Sequence, residues 1–157
     1  MKLILKLILV FVCLTSQVLN AQKISYEDSV YKILKKYKKS NIIVLTDKIN
    51  DSTYRTFHIY KKTKQPVLAC YKSISDSIKR EIHYEYIAGK LVKVYLETWN
   101  TKAKNVSFTT VYFKNGIALS PPEIPDLGFK NTSDLLASSD QLFTRGIEVY
   151  KLSLLPK

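Results

Sequence analysis

Two cysteines, two histidines, four glycines and one tryptophan are all that this 157-residue chain offers of some of the residues that most often carry chemistry. Gly89, Gly116, Gly128 and Gly146 stand far apart, so no glycine-rich loop is present to cradle a phosphate with backbone N–H groups. His58, His83, Cys13 and Cys70 fall at no zinc-ligand spacing, and neither His-Glu-x-x-His nor the Gly-x-Ser-x-Gly nucleophile elbow occurs. The apolar run at the start, Leu7 to Leu14, is far shorter than the roughly 20 residues of a membrane-spanning helix. Arginine is scarce as well. Of 25 cationic side chains only Arg55, Arg80 and Arg145 are guanidinium, the group that specific phosphate recognition favours.

What is present begins with a leader. Lys2 and Lys6 precede the apolar run, Thr15-Ser16-Gln17 follow it, and Val18-Leu19-Asn20-Ala21 puts a small residue before Gln22. That order predicts a signal peptide over residues 1–21, cleaved before Gln22, and hence a secreted or periplasmic protein with no transmembrane segment after processing. Lipidation on Cys13 would need a small residue in front of the cysteine, where Val12 stands; an uncleaved anchor is the other alternative. The Ala-Gln ending resembles that of exported proteins of Bacteroidota, a likeness that implies a compartment and no activity.

Residues 22–157 then form one expected domain, long enough to bury a core without disulfides. Cys70 would be its only cysteine, and the apolar flank Leu68-Ala69-Cys70-Tyr71 predicts a buried, inert thiol. Without Lys2 and Lys6 the balance is 23 Lys and Arg against 13 Asp and Glu, a net charge of +10. Such a surface attracts polyanions, although lysine excess beside many Tyr, Ile and Asn also follows from AT-rich coding.

The pattern predicts an α+β fold: an antiparallel β-meander with an N-terminal and a C-terminal helix packed on one face. Ser25 reads as the cap of the first helix, with Glu27 and Asp28 in its first turn, Val30, Ile33, Leu34 and Tyr37 at helical spacing, and Lys35, Lys36, Lys38 and Lys39 in its last turn. Strands follow at about Asn41–Thr46, Thr53–Lys61, Pro66–Ile74, Arg80–Ile87, Lys90–Leu96, Asn105–Lys114 and Ile117–Leu119, the last two joined by Asn115-Gly116. Ser120 to Asp126, with its three prolines, reads as an extended connector to a helix from about Thr132 or Ser133, whose stripe is Leu135, Leu136, Leu142, Phe143, Ile147 and Tyr150.

Pleat parity tests the central hairpin. A two-residue loop at Ala88-Gly89 would set Ile82, Tyr84 and Tyr86 opposite Lys93 and Tyr95. A three-residue loop, Ile87-Ala88-Gly89, pairs Tyr84 with Val92 and Ile82 with Val94, and is the expected form. Glu81, His83, Glu85, Lys93 and Tyr95 then face outward, with His83 beside Lys93 across the strands.

His83 between Glu81 and Glu85 is the sharpest catalytic or metal candidate, and parity turns His58 outward too. Two histidines on a strand face read more simply as a solvated surface, so no metal, cofactor or catalytic set is assigned. The aromatics give the leading alternative: Tyr54, Tyr60, Tyr95 and Trp99, with His58 and His83, form an expected binding face for a protein, peptide or glycan of the cell envelope. An exported, non-catalytic binding or interaction protein is therefore the leading function. An envelope protein binding an anionic polymer through its lysines comes second, and a small enzyme dependent on His83 and its neighbouring carboxylates third.

Asp28-Ser29-Val30, Asp51-Ser52-Thr53 and Asp76-Ser77-Ile78 each place a β-branched residue after an Asp-Ser pair. They resemble the Asp-Ser/Thr-apolar acceptor of Bacteroidota O-glycosylation, which implies sugar on Ser29, Ser52 or Ser77. Turn chemistry accounts for the same pairs without it.

Overall fold

The structure, a computed structural model, describes residues 21–37, 41–119 and 131–156. Residues 1–20 of the expected signal peptide 1–21, Lys38, Lys39 and the proline-rich connector Ser120–Asp126 lie outside the described residues. The chain divides into two compact units, residues 1–36 and 37–157.

In the first unit a helix, α1, covers residues 21–34 and a turn follows at Lys35 and Lys36. Ser25 lies inside this helix and is not its cap. Its carbonyl instead accepts a hydrogen bond from the Ser29 hydroxyl one turn later, 2.9 Å away, the back-bonding that serine makes within helices.

The second unit is an α+β domain. Its strands β1 (Ile42–Asn50), β2 (Thr53–Tyr60), β3 (Gln65–Ile74), β4 (Ile78–Ile87), β5 (Lys90–Asn100), β6 (Asn105–Lys114) and β7 (Ile117–Ala118) lie side by side in chain order as one antiparallel sheet. Helix α2 spans Thr132–Ser153, and the Asn131 side chain caps it by accepting from the Asp134 N–H. The order of strands is the meander that the sequence predicts.

One row of side chains shows why the near face is the core. Phe57, Ala69, Tyr84, Val94 and Val111 are register partners across β2 to β6, and each is at most 1 % exposed. Helix α2 lies over the end of this face nearest the β2–β3 and β4–β5 turns. Small residues let it approach. A Cβ on Gly146 would fall 2.8 Å from the Pro66 ring and 2.9 Å from Phe57, and Ser139 is wholly buried. The two core tyrosines find their partners on the helix: Tyr84 Oη lies 3.0 Å from Ser138 Oγ, while Tyr86 donates to the Ser139 carbonyl at 2.9 Å and accepts from Ser139 Oγ. Arg145 ties the helix to β1 through both oxygens of Asp47, at 2.9 and 3.3 Å.

The central hairpin does not have the expected three-residue loop Ile87-Ala88-Gly89 but the two-residue alternative. Ile87 pairs with Lys90, so the loop is the two residues Ala88-Gly89, both left-handed at φ 50° and 75°. Glu85 pairs with Lys93 but Tyr86 with Leu91, which leaves Val92 as an extra residue in β5. This bulge performs the parity correction that the three-residue loop was expected to make. Beyond it Tyr84 faces Val94 and Ile82 faces Leu96, and all the apolar residues still point inward. His83 consequently sits opposite Tyr95, and Lys93 opposite Glu85.

Candidate functional site

The far face of the sheet, away from α2, is built by the other parity. Three rows cross it in register: Tyr54, Lys72, Glu81 and Glu97; Thr56, Cys70, His83 and Tyr95; His58, Leu68, Glu85 and Lys93. Trp99 pairs with Lys79 in a further row at the β3–β4 loop end. A period of two on each strand is enough to place Tyr54, His58, Tyr60, His83, Tyr95 and Trp99 on this one face, as the sequence predicts.

Glu81 is the centre of the cluster. Its Oε1 accepts from Lys72 at 2.8 Å and lies 3.1 Å from the Lys79 ammonium, while its Oε2 lies 3.4 Å from His83 Nε2. Burial alone would raise the Glu81 pKa; the hydrogen bonds and charges of the two lysines outweigh it and hold the carboxyl at about 2. The lysines in turn lie against rings. Lys79 Nζ stands 3.3 Å from the Trp99 ring centroid and Lys72 Nζ 5.4 Å from that of Tyr54. His83 packs edge-on to Tyr95, with centroids 5.8 Å apart.

The same His83 Nε2 that faces Glu81 also meets Cys70 Sγ at 3.7 Å. Cys70 is thus a far-face residue, half-buried beside a histidine, and its apolar neighbours Ala69 and Tyr71 belong to the opposite parity. Desolvation, reinforced by the Glu81 charge, pushes the thiol up to about 11, so it carries little thiolate at neutral pH. The alternation along β3 was the signal that could have separated Cys70 from the core; the apolar composition of its flank concealed it.

His58 and Tyr60 stand further along β2. Burial, with a smaller contribution from His83, lowers the His58 pKa and keeps its ring neutral. Tyr60 meets the ring of Tyr37 edge-on at 5.0 Å, away from the Glu81 cluster. Between these groups, Lys93 bonds Glu85 Oε1 at 3.2 Å, and Glu85 Oε2 is buried with no hydrogen-bond partner among the described residues. Lys72, Lys79 and Lys93 therefore lie among Glu81, Glu85 and Glu97 at the centre of the face, and Lys48, Lys90 and Lys114 share its parity toward the margins.

The acceptor-like serines fall in different settings. Ser29 lies within α1, Ser52 is exposed in the two-residue turn between β1 and β2, and Ser77 lies in the β3–β4 turn.

The class that the fold defines is α+β, a seven-stranded antiparallel sheet with helices. No protein-family model, curated protein or solved structure matches the chain. Among the described residues no helix is long and apolar enough to cross a membrane.

Proposed function

We propose that the chain is an exported, non-catalytic binding protein whose far sheet face contacts a protein, peptide or glycan of the cell envelope. The observation that carries this reading is the gathering of Tyr54, Tyr95 and Trp99, with His58 and His83, on the half-exposed face opposite α2. Rigid rings of this kind contribute contact area at a small entropic cost.

The same geometry weighs against the other two readings. A carboxyl held at about 2 is a poor general base near neutral pH, and a thiol near 11 is a poor nucleophile, so His83 has weak helpers for catalysis. The central cations Lys72, Lys79 and Lys93 are offset by Glu81, Glu85 and Glu97, which leaves polyanion binding to the margins of the face, at Lys48 and Lys90, and to loops such as that of the exposed Lys61, Lys62 and Lys64.

The test is capture from the native cell envelope with wild-type bait and with a Tyr54→Ser/Tyr95→Ser/Trp99→Ser variant that retains the circular dichroism of the parent. Loss of the captured molecule from the variant is the expected result, and its retention would overturn the reading. Capture that falls steeply between low and high salt, with slopes set by lysines, would favour the polyanion. Intact mass of the protein from its own host tests export and modification together: the expected species begins at Gln22 and carries a sugar-sized increment, first on Ser52, which is exposed in a turn whereas Ser29 lies within a helix. An intact Met1, a lipid on Cys13 or an unmodified mass would reject the corresponding part.

A further inference from the structure

We propose that Cys70, Glu81 and His83 form a divalent-metal site suited to Zn2+. The three come from adjacent strands. Cys70 on β3 is the register partner of His83 on β4, and Glu81 lies two residues from His83 on the same face. One ligand atom from each, Sγ, Nε2 and an Oε, lies within 4.8 Å of the others.

Two of the edges already have the length a tetrahedral ion imposes. With metal–ligand bonds of about 2.3 Å to sulfur and about 2.0–2.2 Å to nitrogen and oxygen, S···N and N···O edges come to about 3.6 and 3.3 Å. Sγ···Nε2 is 3.7 Å and Nε2···Oε2 is 3.4 Å. A hydrogen-bonded chain would also join these groups, but it engages Nε2 with a single proton or lone pair, whereas a metal at the centre draws all three donors together. The donor set is mixed: a soft thiolate, a borderline imidazole and a hard carboxylate. That mixture suits Zn2+ better than Mg2+ or Ca2+, which select oxygen alone. Cys70 and Glu81 as anions neutralise the ion, and an ion draws the proton off a coordinating thiol. Partial exposure of Glu81 and His83, 17 % and 28 % of their side chains, leaves a fourth position for water.

Lys72 and Lys79 oppose the ion. Both hold Oε1 of Glu81, so Oε2 is the oxygen turned to His83 and to the site. Their charge lowers affinity without blocking the ligands, and Lys79→Gln is expected to tighten binding several-fold. The proposal stands apart from the partner reading, since it concerns the isolated protein and one ion.

The experiment is titration of the reduced full-length chain with Co2+, a spectroscopic substitute for Zn2+. A thiolate-to-cobalt charge-transfer band should appear, bleach on addition of Zn2+, persist in Cys13→Ser and vanish in Cys70→Ser. Glu81→Gln and His83→Ala should each weaken binding by about tenfold or more. Zn2+ should also raise the Tm of the wild-type chain, a readout that needs no variant to fold. Absence of the band together with an unchanged Tm, or a band lost in Cys13→Ser and retained in Cys70→Ser, would overturn the proposal.

Discussion

The two faces of this sheet are made from the same strands, residue by residue in alternation, yet they are stabilised by opposite means. On the near face Phe57, Tyr84, Val94 and Phe113 are buried to 1 % exposure or less, and α2 closes over one end of it through Gly146 and Ser139. On the far face the ordered groups are Lys72, Lys79, Glu81, His83 and Trp99, half in water and held to one another by ion pairs and ring contacts. Close packing tolerates little change in volume, whereas a partly solvated ion pair contributes little net stability and leaves its residues available for other contacts. The near face is therefore where substitutions should unfold the protein, and the far face where they should change what it binds.

The largest expected effect lies at the closest approach of α2. Gly146→Val drives a branched side chain into Pro66 and Phe57 and should destabilise by about 3 kcal/mol, read as a lowered urea midpoint at unchanged slope. Next comes the central turn, where Gly89 has φ 75° and its added Cβ would already touch the Phe143 ring at 3.5 Å. Gly89→Val should cost about 2 kcal/mol through backbone strain. Tyr86→Phe removes the hydroxyl that bonds both the carbonyl and the hydroxyl of Ser139, and should cost about 1–2 kcal/mol in the same measurement.

The far face gives smaller effects and a pH signature. The Glu81 pKa is lower folded than unfolded, so its contribution is complete above the ordinary carboxyl value of 4.5 and is lost as the pH falls toward about 2. His58 is also depressed, because its burial favours the neutral ring; its contribution is present above 6.5 and declines as the pH falls below that value. Urea midpoints should thus fall from pH 7 to pH 3, and Glu81→Gln should flatten the acid limb of that curve. His83→Ala, without metal, should change stability by no more than about 0.5 kcal/mol. A loss comparable to Gly146→Val would break the contrast between the faces.

Much of this arrangement is local and was therefore legible. A period of two assigns Ile82, Tyr84 and Tyr86 to one face and Glu81, His83 and Glu85 to the other, whatever the strands pair with. The same rule placed Tyr54, His58, Tyr60, Tyr95 and Trp99 together, and Thr132 and Ser133 marked the start of α2, while its Asn131 cap came only with the structure. Where a strand lacks a clean alternation of apolar and polar residues the rule weakens, which is why Cys70, between Ala69 and Tyr71, read as core.

The sequence by itself determined the class of fold, the succession of strands and the parity of their side chains, because each follows from neighbours a few residues apart. Only the tertiary structure decided the Val92 bulge, the passage of α2 over Pro66 and Phe57 at Gly146, and the meeting of Cys70 Sγ with His83 and Glu81. Each of these depends on register between strands or on the distance between packed surfaces, and a register shift of one residue leaves the local pattern of either strand unaltered. Pairing of whole strands fixes it, through the apolar area that only one alignment buries.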